Sequence, residues 1–130
     1  MKTLALLLTF ASFSTWAHDL NLKNYFKMQD ALAKDDFKSA LSAHSHICEK
    51  ELAHYKDDYK GCPKKFKDIA ALRETFKDVS KLFMENSDKK ELENAQVVEC
   101  SMAKAKWIQP KGEIRNPYYG ASMLTCGQKI

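Results

Sequence analysis

Three amphipathic segments occupy the middle of the chain, and they limit the folds that it can adopt. In each segment apolar residues recur three and four positions apart, which is the spacing of one helix face. The third segment has the most regular stripe, formed by Ile69, Leu72, Phe76, Val79 and Phe83. Candidate N-caps precede the three predicted helices at Asp19, at the pair Asp35 and Asp36, and at Asp68. We expect a mainly α fold, a small antiparallel helical bundle, because no such helix can bury its apolar face alone.

The second predicted helix carries a histidine and a cysteine. Its stripe runs on to Tyr59, and Gly61 and Pro63 then predict its end, since glycine tolerates a left-handed cap and proline cannot continue the ladder. His44 and Cys48 are four residues apart on this helix, a spacing at which both can contact one ion. Because His44 lies on the apolar stripe, a hydrogen-bonded core histidine is the favoured interpretation.

Helical periodicity stops at the C-terminal segment, residues 95–130. Residues 97–98 lead into residues 99–102, which predict a short strand. Residues 107–109 are its candidate partner, although the residues between them do not form a clear hairpin-turn motif. We expect the side chain of Asn116 to hydrogen-bond the backbone at a structural corner, and the alternative is that residues 115–119 form a partner-binding edge. Five apolar or aromatic residues should pack this segment on the helices: Trp107, Ile108, Ile114, Tyr118 and Tyr119. Residues 18–130 are therefore predicted to form a single domain, a helical bundle with a short irregular or β segment at its C-terminal end.

The first residues have the layout of a secretory signal peptide. Lys2 precedes an apolar stretch over residues 4–13, and small residues follow around Ala17. We expect residues 1–17 to be removed by a cut after Ala17, so that the protein is periplasmic or secreted. The apolar stretch is too short for a membrane span, which needs about 20 residues. No later stretch is long and apolar enough either, so the mature chain is expected to have no membrane span.

Four cysteines in an exported chain predict disulfides. In an oxidising compartment Cys48, Cys62, Cys100 and Cys126 can pair in three ways. Sequence order favours Cys48–Cys62 and Cys100–Cys126, because each pair falls within one local segment. A loop of the size closed by Cys48–Cys62 would add about 3 kcal/mol to stability by the chain-entropy relation.

Charge and motifs argue against two broad functions. The 21 basic and 17 acidic residues leave a formal charge of +4, and the two signs alternate along the surface of the predicted helices. A nucleic-acid-binding protein would concentrate its basic residues in one patch, so we expect no nucleic-acid partner. The chain has no Cys-x-x-Cys, no nucleophile elbow, no zinc-protease motif and no phosphate loop. We therefore expect no enzymatic activity.

The C-terminal segment and the third predicted helix carry an ordered set of motifs. The segment reads Cys100-Ser101-Met102-Ala103, then Trp107, then Glu-Ile-Arg-Asn-Pro-Tyr-Tyr-Gly over residues 113–120 and Met-Leu-Thr-Cys-Gly over residues 123–127. The helix contributes Asp68, Ile69, Arg73, Phe76 and Ser80. Together these motifs resemble the bacterial domain-of-unknown-function family three-three-four-seven over nearly all of residues 18–130. Ser101 departs from that family's pattern, which has proline between the cysteine and the methionine.

The resemblance implies an envelope protein connected with metals. Domains of this family follow a signal peptide or are attached to adaptor proteins of heavy-metal and copper efflux pumps, and no reaction is established for them. The implied partner is a heavy-metal efflux adaptor or another envelope protein.

Thiolates and thioethers are soft donors, which favour Cu(I) over hard cations. On a regular strand the side chains of Cys100 and Met102 would share a face, and one helical turn would bring Met123 and Cys126 together. We predict a Cu(I) site formed by these four residues, in a protein of metal resistance or efflux. The alternative is a Cys100–Cys126 disulfide with both methionines as core filler, in an interaction module that binds a protein and no metal.

Overall fold

The computed structural model describes residues 20–55, 59 and 62–130. The predicted signal peptide over residues 1–17, the candidate cap Asp19 and the predicted helix-ending Gly61 lie outside these residues. Among the described helices, none combines the length and the apolar character that crossing a membrane requires.

Four α-helices lie in the described part of the chain: α1 (Leu22–Ala33), α2 (Phe37–His46), α3 (Ile69–Asn86) and α4 (Lys89–Glu93). Asp36 and Asp68 cap α2 and α3 as predicted, since their carboxylates accept the backbone N–H three residues on. The first helix begins later than predicted, because Asn21 is its N-cap and accepts the N–H of Lys23 at 2.8 Å.

The prediction of a regular second helix up to Tyr59 is wrong. After α2 the chain forms a π-helical turn, Ile47–Glu51, and then a 3-10 turn, Leu52–His54. Ile47 and Leu52 are both buried although they are five residues apart. A regular helix would put residues four apart on one face, whereas the wider π turn aligns residues five apart. The change of pitch therefore keeps this segment packed on the core.

The C-terminal segment contributes a three-stranded antiparallel sheet, which makes the fold mixed α/β rather than a helical bundle alone. Its strands are β1 (Ala95–Cys100), β2 (Ala105–Pro110) and β3 (Gln128–Lys129), in the order β2-β1-β3. The predicted pairing of β1 with residues 107–109 is confirmed, with Val97 opposite Ile108 and Val98 opposite Trp107. The sheet covers the helices with fully buried Trp107 and Ile108, as another helix of a bundle would.

Tyr25 joins the helices to the sheet at the centre of the core. Its ring packs on Phe76 and Phe83 of α3, with centroid distances of 5.1 and 4.9 Å. Its hydroxyl lies 2.7 Å from that of Ser80 and accepts the backbone N–H of Ile108 at 3.0 Å. Burial raises the pKa of Tyr25 far above its usual range, so the phenol stays neutral and satisfies both partners.

Arg73 of α3 fastens the C-terminal segment to the turn between α1 and α2. Its guanidinium donates to the carbonyls of Pro117 at 2.8 Å and Leu32 at 2.7 Å. It also forms an ion pair with Asp35 at 2.7 Å, and Asp35 in turn accepts the N–H of Ala121 at 3.0 Å. One side chain thereby holds three parts of the chain that are far apart in sequence.

Candidate functional site

A pair of free thiols lies where β1 ends and the chain turns into β3. Cys100 is the last residue of β1 and is fully buried, whereas Cys126 lies in the turn before β3 and is partly exposed. Their Sγ atoms are 3.6 Å apart, and no disulfide joins them. The structure thus brings together the two cysteines that the sequence analysis assigned to one site.

Asn116 positions the turn that carries Cys126. This side chain is fully buried, and its Nδ2 donates to the carbonyl oxygen of Cys126 at 2.7 Å. Its Oδ1 accepts the backbone N–H groups of Tyr118 at 2.8 Å and Tyr119 at 3.1 Å. Its own N–H donates to the carbonyl of Leu124 at 2.7 Å. The predicted structural corner at Asn116 is confirmed, and it fixes the backbone beside the Cys126 thiol.

Gly127 allows the same turn to approach the sheet. Its φ is +153°, and a Cβ at this position would lie 2.8 Å from Val98 Cγ1 and 2.9 Å from Trp107 Cη2. Real Cβ atoms do not come so close, and L-residues rarely adopt this backbone conformation. A side chain at position 127 would therefore displace the neighbouring Cys126 from the end of β1.

The two thiols interact electrostatically. The hydrogen bond with Cys100 is the main cause that raises the pKa of the Cys126 thiol, and partial burial and repulsion between the two sulfurs add to it. A raised pKa keeps the thiol protonated at neutral pH, and the protonated form is a poor nucleophile. Cys126 therefore does not supply an activated thiolate, whereas a metal ion can displace its proton.

The sulfur separation fits a shared metal ion. Two thiolates on one tetrahedral ion with metal–sulfur bonds of about 2.3 Å lie about 3.8 Å apart. The observed distance between the sulfurs of Cys100 and Cys126 is 3.6 Å. A disulfide would need them to approach to about 2.05 Å. The donor set thus suits a soft ion, and the two sulfurs would have to move only slightly to hold it with tetrahedral geometry, while oxidation requires the turn to move towards β1.

The methionines are arranged differently from the prediction. Cys100 and Met102 do not share a strand face, because β1 ends at Cys100 and Met102 lies in the turn of residues 101–104, where it is 62% exposed. Met123 ends a 3-10 turn and is partly buried. Its carbonyl accepts the N–H of Cys126 at 3.1 Å, so Met123 and Cys126 share one turn as expected.

The other two cysteines form the predicted disulfide. Cys48 and Cys62 are bonded, with their Cα atoms 5.9 Å apart. His44 is 2% exposed, and its Nε2 lies 3.5 Å from Cys48 Sγ. The ring of His44 packs edge-on against Phe66 at 5.1 Å. The burial of His44 on the apolar face was predicted. Its position beside a disulfide was not predicted, because Cys62, the partner of Cys48, lies in a segment that follows the helix.

The fold and the thiol pair together define a small mixed α/β domain, clasped by a disulfide, with a two-sulfur site at one edge of its sheet. No family model, no curated protein and no solved structure matches the chain. The resemblance to family three-three-four-seven stays a prediction, as do the signal peptide, the periplasmic or secreted location and the absence of enzymatic activity.

Proposed function

We propose that this protein is an exported, non-enzymatic soft-metal-binding protein that holds Cu(I) between Cys100 and Cys126 and serves metal resistance or efflux. The observation that carries the proposal is the separation of 3.6 Å between two free sulfurs. Thiolates are the donors that Cu(I) prefers, and the separation matches two ligands of one ion.

The two cysteines have different parts in this site. Cys100 supplies a buried ligand from the end of β1, and Cys126 supplies one from a partly exposed turn, so the ion enters from the side of Cys126. Met123 lies on the same turn as Cys126 and is a candidate for a third ligand. Met102, exposed on the turn after β1, is a ligand only if that turn folds back over the thiols.

Binding of Cu(I) should be coupled to proton release. The pKa of the Cys126 thiol is raised, so the ion must displace protons to obtain its thiolate ligands. The apparent affinity should therefore increase as the pH rises towards that pKa. Sites built from thioethers alone lose no proton on binding, and their affinity would not follow pH in this way.

An anaerobic Cu(I) titration against a colorimetric chelator tests the proposal, with a thiol count on the same sample. Ascorbate is the suitable reductant because it leaves a protein disulfide intact. We expect one Cu(I) per chain in the wild type and none in Cys100→Ser/Cys126→Ser. Met123→Leu should weaken binding, whereas the matched change Met84→Leu on α3 should not. Unchanged affinity in the double cysteine variant would refute the site.

The second candidate is a disulfide-stabilised envelope module that binds a protein partner and no metal. It is supported by the geometry of the turn before β3, because Asn116 and β3 already hold Cys126 next to Cys100. A Cys100–Cys126 disulfide would link this turn covalently to β1. If the protein purified from the periplasm contains no free thiol and takes up no Cu(I) after mild reduction, this second function replaces the first.

If the protein binds Cu(I), its partner is a heavy-metal efflux adaptor or another envelope protein that receives the ion. Support for it comes from the resemblance of residues 95–130 to domains attached to such adaptors. Transfer of Cu(I) from the loaded protein to an adaptor, followed by separation of the two proteins, is the corresponding measurement.

A further inference from the structure

We propose that Cys48–Cys62 is a reducible disulfide, and that its two thiolates, once released, form with His44 a second metal site for a borderline ion of the Zn²⁺ class. This goes beyond the Cu(I) site, with which it shares no residue. The ligand atoms of His44, Cys48 and Cys62 all lie within 4.8 Å of one another.

The two cysteines of the disulfide differ in exposure. Cys62 is exposed, Cys48 is partly buried, and His44 is buried behind them. Cys48 lies in the π turn Ile47–Glu51, and such turns are frequent at functional sites. An attacking thiolate therefore reaches Cys62 Sγ first, and the departing sulfur is that of Cys48.

A dithiol reductant completes the reaction. Its thiolate attacks Cys62 Sγ, the Cys48–Cys62 bond breaks, and Cys48 leaves with the electron pair as a thiolate. The second thiol of the reductant then attacks the reductant sulfur that is bound to Cys62. This step releases Cys62 and converts the reductant into a cyclic disulfide. The protein pair gains two electrons and two protons, or a metal ion in place of the protons. His44 Nε2 lies 3.5 Å from Cys48 Sγ, so an N–H at Nε2 stabilises the departing thiolate, and Nε2 gives up this proton before it binds a metal ion.

The distances suit a tetrahedral ion once the sulfurs separate. With metal–sulfur bonds of about 2.3 Å and a metal–nitrogen bond of about 2.0 Å, a sulfur and a nitrogen ligand lie about 3.5 Å apart. The distance between Cys48 Sγ and His44 Nε2 is 3.5 Å. His44 would bind as the neutral imidazole through Nε2, with its proton on Nδ1. Three protein ligands then leave the fourth position, on the exposed side of Cys62, for water or another ligand.

Cobalt(II) is the probe for this site, because thiolate ligation gives it intense charge-transfer absorption. The experiment uses the mature chain carrying Cys100→Ser/Cys126→Ser, so that its failure and that of the Cu(I) proposal are distinguishable. Samples are kept oxidised or are reduced with a phosphine and desalted anaerobically. We expect one Co²⁺ per chain in the reduced sample and none in the oxidised one.

Histidine variants test the third ligand. His44→Gln should weaken Co²⁺ binding by at least about 10-fold, whereas His46→Gln, an exposed histidine on the same helix, should leave it unchanged. Absence of thiolate–cobalt absorption in the reduced protein, or equal affinity in the two histidine variants, would overturn the proposal.

A folding measurement covers the case in which reduction unfolds the chain. An ion that binds only the folded state stabilises it, so Zn²⁺ should restore the helical circular dichroism of the reduced protein. Failure of Zn²⁺ to restore it would equally overturn the proposal. The rate of disulfide reduction by a dithiol should also be slower in His44→Gln than in His46→Gln.

Discussion

Replacing Asn116 by alanine tests the corner that holds Cys126 beside Cys100. The change removes three side-chain hydrogen bonds, one to the carbonyl of Cys126 and two from the N–H groups of Tyr118 and Tyr119. Each is worth about 1 kcal/mol net, so the free energy of unfolding should fall by about 3 kcal/mol. For a chain of this size, the expected decrease in Tm is about 10–20 °C.

Urea unfolding followed by circular dichroism is the assay, with Asn94→Ala as the matched control. Asn94 is exposed at the end of α4, and its side chain makes a single hydrogen bond to the carbonyl of Lys90. That control should change stability by less than about 0.5 kcal/mol. The Cu(I) affinity should fall in Asn116→Ala and not in Asn94→Ala. Equal stability of the two variants would refute the assignment of the corner to Asn116.

Three further changes address the packing around the site. Gly127→Ala should cost more than about 1 kcal/mol in urea unfolding because its Cβ meets the sheet. Gly112→Ala has a similar φ of +144° but nothing within 4 Å, and an equal loss there would refute the steric explanation. Ser80→Ala removes the hydroxyl that hydrogen-bonds two buried tyrosines, and the free energy of unfolding should fall by about 1–2 kcal/mol. An unfolding curve identical to that of the wild type would mean that other groups satisfy the two tyrosine hydroxyls. The hydrogen bond from Arg73 lowers the pKa of Asp35, so the stability contributed by its charged form is lost as the pH falls below about 4. Asp35→Asn should therefore lose less stability than the wild type between about pH 5 and about pH 2, and parallel pH curves would contradict this.

Local patterns were sufficient for much of the helical structure. The stripe and cap of α3 were predicted correctly, because helix periodicity and an N-capping carboxylate are properties of neighbouring residues. The pairing of β1 with β2 was also predicted, because the two strands follow each other closely in the chain, although the turn between them was not recognised. The Cys48–Cys62 disulfide followed from sequence order, which keeps the two cysteines 14 residues apart.

Features that depend on packing were predicted less well. The π turn after α2 arises because Ile47 and Leu52 must both face the core, and a periodic count cannot anticipate a change of pitch. Strand β3 is only two residues long, and it exists because its neighbour β1 offers a free edge. Met102 was assigned to a strand that in fact stops at Cys100, since the tight turn to β2 starts there.

The amino-acid sequence by itself determined the presence of α1, α2 and α3, where α2 and α3 begin, and which cysteine lies within reach of Cys48, but not the short helix α4. Only the tertiary structure decided that the sulfurs of Cys100 and Cys126 come within 3.6 Å of each other, and that His44 adjoins a disulfide. The physical reason is the range of the interactions. Helix periodicity and caps act between residues a few positions apart. The thiol pair instead depends on the buried hydrogen bonds of Asn116 and on the close approach of Gly127 to the sheet, which exist only once distant segments have packed together.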